Sequence, residues 1–234
     1  MQLFAHRGVS TLYPENTLRA FAAALELPNV GIELDVYLHQ DQLVVIHDRF
    51  VDRTTNGRGA LEDFSVSQLA ALDAGNGQKI PTLWQVLELC ANRCLLNIEL
   101  KGHDTGPALL RLLARAQHEL QLDLRHILVS SFHHPLLRWL GLNQPSLQLG
   151  MLIAHYPLEL AACAAALGVD SLHCDRSFVD QVLVDDAHQR GLKVHVYTVN
   201  YQKDAIELAQ MGVDGLFCNH PAQVQQWLTD ASLA

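Results

Sequence analysis

Residues 191–217 read GLKVHVYTVNYQKDAIELAQMGVDGLF. Val194 to Tyr197 is a short β-branched apolar run, and Lys203 to Met211 carries apolar residues at helical spacing. Gly212 is placed to stop that helix, and Gly215 to Phe217 reads as strand again. Strand, helix and strand in succession are the repeating unit of a parallel α/β fold.

The same alternation extends back through the chain. Candidate strands recur at Leu3 to Ala5, Ile32 to Val36, Leu95 to Ile98, Ile127 to Val129, Leu147 to Met151 and Val169 to Leu172, which with the two above makes eight. Amphipathic stretches at Thr17 to Leu27, Ala108 to Leu120, Leu158 to Leu167 and Asp180 to Arg190 read as helices between them. Gly168 and Gly191 stand where helices must end, and Pro157 and Pro221 where helices can begin. This order predicts an α/β fold, a (β/α)8 barrel. Two features interrupt it: Gln42 to Ile46 reads as an extra short strand, and the polar stretch from Phe50 to Lys79 reads as an insertion on the catalytic face, placed to cover a substrate.

Composition narrows the function classes. At 234 residues and 49% hydrophobic, the chain holds enough apolar material for one core, so a single domain over 1–234 is expected. Its formal charge of −9 repels polyanions, which argues against nucleic acid as a partner. No long apolar run suggests a membrane span, and Met1 to Ala5 has no signal-peptide pattern, so a cytoplasmic protein is expected. The five cysteines, Cys90, Cys94, Cys163, Cys174 and Cys218, read as buried reduced thiols. The oligomeric state is left open.

Charge is concentrated at three strand ends: Ala5-His6-Arg7-Gly8, Ile32-Glu33-Leu34-Asp35 and Asn97-Ile98-Glu99-Leu100-Lys101. Side chains two apart on a strand share a face, so Glu33 pairs with Asp35 and Glu99 with Lys101. Buried carboxylates side by side require positive compensation. One hard divalent cation, Mg²⁺ or Ca²⁺, suits an all-oxygen set of Glu33, Asp35 and Glu99; ordinary ion pairs with Arg7 and Lys101 are the alternative. His6 and His47, the latter followed by Asp48, are able to divide acid and base duties near neutral pH. Of the other eleven histidines, His103 among them, most read as structural, with His173 and His195 the exceptions because they lie near late strand ends.

Taken in order, Ala5-His6-Arg7-Gly8, Pro14-Glu15-Asn16-Thr17, Glu33-Leu34-Asp35, His47-Asp48, Asp52-Arg53-Thr54-Thr55-Asn56-Gly57, Pro81-Thr82-Leu83, Glu99-Leu100-Lys101, Tyr197-Thr198-Val199-Asn200 and Gly212-Val213-Asp214-Gly215 resemble the glycerophosphodiester phosphodiesterases. The resemblance implies metal-dependent hydrolysis of small glycerophosphodiesters to sn-glycerol 3-phosphate and an alcohol, as in the cytoplasmic members that recycle deacylated phospholipids. It implies Glu33, Asp35 and Glu99 as metal ligands, His6 and His47 as the acid and base pair, Arg7 and Lys101 on the phosphate, and Asp48 orienting His47. The attacking oxygen is either that of water or the substrate's own glycerol hydroxyl. Tyr197 stands where the family commonly has Trp and is expected to wall the pocket; Trp84 and Gln85 stand where acidic residues are common. Asn16 is expected at a helix start, touching the metal shell as well. A silent ligand-binding barrel is disfavoured because none of the charged residues is missing. An amidohydrolase-type barrel is disfavoured because Phe4 stands two before His6.

Overall fold

The computed structural model describes residues 1–102 and 104–233, so the reading of His103 falls outside the described residues. The strands are β1 (Gln2–His6), β2 (Val30–His39), β3 (Gln42–Val45), β4 (Leu96–Leu100), β5 (Ile127–Ser131), β6 (Gln148–Ile153), β7 (Ser171–Asp175), β8 (Lys193–Tyr197) and β9 (Gly215–Cys218). The helices are α1 (Leu18–Leu25), α2 (Val66–Ala71), α3 (Leu83–Cys90), α4 (Thr105–Glu119), α5 (His134–Asn143), α6 (Ala162–Leu167), α7 (Gln181–Gln189), α8 (Gln202–Gln210) and α9 (Pro221–Asp230).

Eight parallel strands close on themselves in the order β1, β9, β8, β7, β6, β5, β4, β2, with β1 returning to β2. The expected (β/α)8 barrel is the observed one. β2 runs on past the barrel and forms an antiparallel pair with β3, from Val36 opposite Val45 to His39 opposite Gln42. That hairpin is the expected extra strand. It explains why β2 is twice as long as expected, because its distal half serves a second partner.

Outward residues of the strands, such as Ala5, Ile32, Leu34, Ile98, Leu100 and Val129, pack against the helices as the main apolar layer. Inside the barrel a smaller plug forms, in which the Phe4 ring stacks on Phe217 at 4.7 Å and meets Leu128. The stretch from Phe50 to Lys79 carries only one turn of 3₁₀ helix and the short α2, and it packs on β3 as a satellite cluster around Val51, Leu61 and Leu69.

Gly168, Gly191 and Gly212 take positive φ after α6, α7 and α8, as their positions require. Pro221 opens α9, but Pro157 does not open a helix, because α6 begins only at Ala162. The preceding residues form turns, with Ala161 N–H held by the Asp186 carboxylate at 2.9 Å. β7 starts two residues later than expected, at Ser171; just before it Asp170 accepts from Leu149 N–H through its side chain at 2.7 Å. The cysteine reading is corrected in part: Cys163 is exposed and Cys94 half-buried, while Cys90, Cys174 and Cys218 are buried.

Candidate active site

Parallel register brings the charged strand ends together. His6 lies beside Glu33 across β1 and β2, and Asp35 lies beside Glu99 across β2 and β4. Glu33, Asp35 and Glu99 are all buried, and one carboxylate oxygen from each lies within 4.8 Å of the others. Both Arg7 and Lys101 reach this cluster: Lys101 Nζ stands 3.0 Å from Asp35 and 2.5 Å from Glu99, and Arg7 Nε stands 3.4 Å from Asp35. The Arg7 backbone N–H also donates to Glu33 at 2.9 Å.

These ion pairs leave three carboxylates against two cations. Burial, then the neighbouring charges of Asp35 and Glu99, push Glu33 well above the usual carboxylate range. Glu99 is pushed up to about 7, by burial first. Burial acts on Asp35 in the same direction, but Lys101 and Arg7 overcome it and hold that carboxyl low. A cluster that keeps excess protons in the absence of further positive charge fits a hard cation: the donors are all oxygen, adjacent, and short of one compensating charge.

Asn16 serves the cluster rather than the helix. Thr17 caps α1 by accepting from Ala20 N–H at 3.3 Å, while the Asn16 amide, buried and at positive φ, donates to Asp35 at 2.8 Å.

The two imidazoles flank the carboxylates. His6 Nδ1 bonds the Asn219 side-chain oxygen at 2.7 Å, and His47 Nδ1 bonds Asp48 at 2.6 Å. With Nδ1–H donating in each ring, both leave Nε2 as the nitrogen able to exchange a proton at the cavity. Burial lowers both; His6 falls to about 4, with the Arg7 charge as the second cause. Neutral imidazole is therefore the resting form of each at pH 7.

A chain of ion pairs joins the two sides of the mouth. Asp48 accepts from Arg53 at 2.5 Å, Arg53 grips Glu15 with two bonds of 2.8 Å, and Glu15 accepts from Arg7 at 2.9 Å. Residue-by-residue reading gives no role to Glu15 or Arg53, since both lie in loops whose meeting no periodicity announces. The only signal for them is that their short motifs fall among those that resemble the family.

All of these line, or adjoin, a cavity of about 320 Å³ at the C-terminal ends of the strands. Its opposite wall is Ser130, Phe132, Leu152, Asp175, Tyr197 and Phe217. Tyr197 is in the cavity wall, its hydroxyl donating to Ile153 C=O at 2.8 Å. Trp84 and Gln85 lie away from the cavity: Trp84 stacks under Arg115 at 3.7 Å, and Gln85 closes a capping box on Thr82.

His173 and His195 do not stand at strand ends facing the mouth. They pair inside the barrel, His195 Nδ1 to His173 Nε2 at 3.1 Å, with Ser171 Oγ 2.9 Å from the same nitrogen. Burial holds both neutral, His195 at about 4. Only His173 reaches the floor of the cavity.

Fold and site together define a (β/α)8-barrel protein with an oxygen-rich, cation-ready pocket flanked by two imidazoles and two fixed cations. The sequence model of the glycerophosphoryl diester phosphodiesterase family matches residues 6–223, and the chain belongs to that family. A glycerophosphodiester phosphodiesterase of Caldanaerobacter subterraneus is 38% identical over 229 residues, covering 94% of each chain. One from Bacillus altitudinis is 34% identical, covering 94% of this chain and 95% of its own. Among solved structures, an Oleispira antarctica phosphodiesterase in complex with the product sn-glycerol-3-phosphate superposes with a TM-score of 0.88 at 28% identity, covering 98% of this chain and 97% of its own. A Silicibacter pomeroyi protein at 24% identity shares the fold with a TM-score of 0.91, covering 100% of this chain and 95% of its own.

Proposed function

We propose that this chain hydrolyses glycerophosphodiesters to sn-glycerol 3-phosphate and an alcohol, using one divalent cation, Mg²⁺ or Ca²⁺, and the pair His6 and His47. The observation that carries the proposal is the convergence of three buried carboxylates and two imidazoles, each imidazole tied at Nδ1, on one cavity. The likeness to a barrel that holds sn-glycerol-3-phosphate supports the product class.

Glu33, Asp35 and Glu99 would hold the cation, which when bound supplies charge neutralisation at the phosphoryl oxygens. Arg7 and Lys101 supply fixed positive charge beside the same phosphoryl group, where charge accumulates in the transition state. The attacking oxygen, that of water or of the substrate's own glycerol hydroxyl, adds to phosphorus as the bond to the departing alcohol oxygen breaks; in the second case water then opens the cyclic phosphate. One neutral Nε2 takes the proton from the attacking oxygen, while the other ring, protonated at Nε2 once the phosphodiester's negative charge stands beside it, gives that proton to the alkoxide; exchange with solvent then returns both rings to their starting states. Asn219 and Asp48 keep the two rings in the required tautomer. Tyr197 walls the alcohol side. Five cysteines without a disulfide suit the reducing cytoplasm as the site of action.

The test is a coupled assay for glycerol 3-phosphate released from several glycerophosphodiesters, with divalent cation and with chelator. Release that needs the cation, and falls by about 10² to 10⁴ in His6→Ala and in His47→Ala, is expected. No release from any diester would sink the activity; full activity in chelator would remove the cation from it.

A further inference from the structure

The cavity has two unlike ends. β2 and β4 carry the carboxylates and, with β1, the cations Arg7 and Lys101, whereas β7 and β8 lie diametrically across the ring of eight strands. Tyr197, at the end of β8, meets Phe132, which follows β5, edge to face, with ring centroids 6.2 Å apart and planes at 87°. The Tyr197 ring is pinned in the cavity wall by its hydroxyl bond to Ile153 at 2.8 Å.

Beside it stands Asp175, the register partner of Tyr197 across β7 and β8 and a residue of the same cavity wall. Their closeness shows in the Tyr197 phenol, whose pKa is raised by burial first and then by the Asp175 charge. Among the described residues no cation pairs with Asp175. The adjacent Arg176 is turned away, to Asp204 at 3.1 Å and Glu207 at 2.7 Å. Asp175 spends one oxygen on Ser177 N–H at 2.8 Å. The other carries its share of negative charge into a wall whose remaining side chains, Ser130, Phe132, Leu152, Tyr197 and Phe217, are uncharged.

Two aromatic rings and one unpaired carboxylate are the chemistry that receives an alkylammonium ion. A neutral polyol brings no charge to balance Asp175, and an anionic group is repelled by it. The opposite end receives a phosphodiester anion. A substrate complementary to both ends is a zwitterion whose positive charge lies away from its phosphate.

We propose that Phe132, Tyr197 and Asp175 form a subsite for a quaternary ammonium head group, which makes glycerophosphocholine the preferred diester. This rests on the phosphodiesterase reading above. The phosphate is held on the β1, β2 and β4 side, the trimethylammonium group lies against the two rings, and Asp175 balances its charge.

The experiment compares kcat/KM for glycerophosphocholine and the uncharged-head diester glycerophosphoglycerol in wild type, Asp175→Asn and Phe132→Leu. Asparagine can still accept from Ser177 N–H, so the turn is retained while the charge is lost, and a circular-dichroism melt checks the fold. The wild-type ratio should favour the choline diester by about tenfold, and either substitution should bring it towards one. A wild-type ratio near one, or a ratio unmoved in Asp175→Asn, overturns the subsite.

A second measurement is independent of turnover. Saturation-transfer NMR on the wild-type protein, with inorganic phosphate present, compares choline with its uncharged carbon isostere. Preference for choline that weakens in Phe132→Leu supports the subsite, and equal signals overturn it. Should no diester be hydrolysed, the phosphodiesterase reading falls while this comparison still decides whether the wall binds ammonium.

Discussion

Asp48 has two partners, and they pull on one carboxylate from different loops. Its Oδ1 accepts from His47 at 2.6 Å, and its Oδ2 from Arg53 at 2.5 Å. Burial lowers the His47 pKa, and the bond to Asp48 is among the influences that raise it. Replacing Asp48 by Asn removes that support, so the His47 pKa falls further. The limb of the kcat/KM profile set by His47 must then move to lower pH. If His47 works unprotonated, the acidic limb moves down; if it works protonated, the basic limb does. Turnover should drop by between about 10-fold and 10⁴-fold, the range for losing a group that orients a catalytic or ligating imidazole. A pH–rate series on Asp48→Asn therefore assigns His47 its role. A profile with both limbs unmoved would show that Asp48 serves only Arg53 and the loop.

At the scale of elements, two strand glycines make room for the histidine pair. A Cβ on Gly150 of β6 would overlap the His173 ring, and one on Gly215 of β9 would lie 2.9 Å from His195 Cδ2. Gly150→Ala is expected to cost about 1–3 kcal/mol, since neither β6 nor the buried ring is able to retreat. His173→Ala in the same chain should recover much of it, giving a coupling in a denaturant-melt double-mutant cycle that independent sites would not show. Strictly additive losses would contradict the steric account.

The same glycines show why strand interiors were only partly legible. Short apolar runs made the barrel strands readable, and glycine stops made α6, α7 and α8 readable. α3 and α5 went unrecognised: Leu83–Cys90 is eight residues long, and Gly141 interrupts the apolar stripe of His134–Asn143. The carboxylates were legible because strand alternation puts Glu33 and Asp35 on one face. Phe132, Asp175, Glu15 and Arg53 were not, because ordinary residue types in loops and at strand ends carry no spacing signal until the barrel closes.

For the whole molecule, the consequence of closing the barrel is that folding itself brings three carboxylates together, so cation affinity and fold stability are linked. In the absence of a cation, Glu99 titrates near 7 and Glu33 well above the usual range, so between the unfolded carboxylate pKa and those values the native state holds more protons than the unfolded chain. Cation-free stability from this source is present at low pH and lost as pH rises through about 7 for Glu99. A bound cation displaces those protons, so its stabilisation must grow as pH rises. At 100 times its dissociation constant the cation should add about 2.7 kcal/mol, a rise in Tm of roughly 5–10 °C for a chain of this size. Thermal melts in chelator and in Mg²⁺ or Ca²⁺ at pH 5 and pH 7.5 read this directly, without any substrate. Glu33→Gln and Glu99→Gln should each shrink the rise at pH 7.5. An equal rise at both pH values, or one undiminished in both variants, would mean that the ion binds elsewhere on this acidic surface and that Arg7 and Lys101 alone balance the three carboxylates.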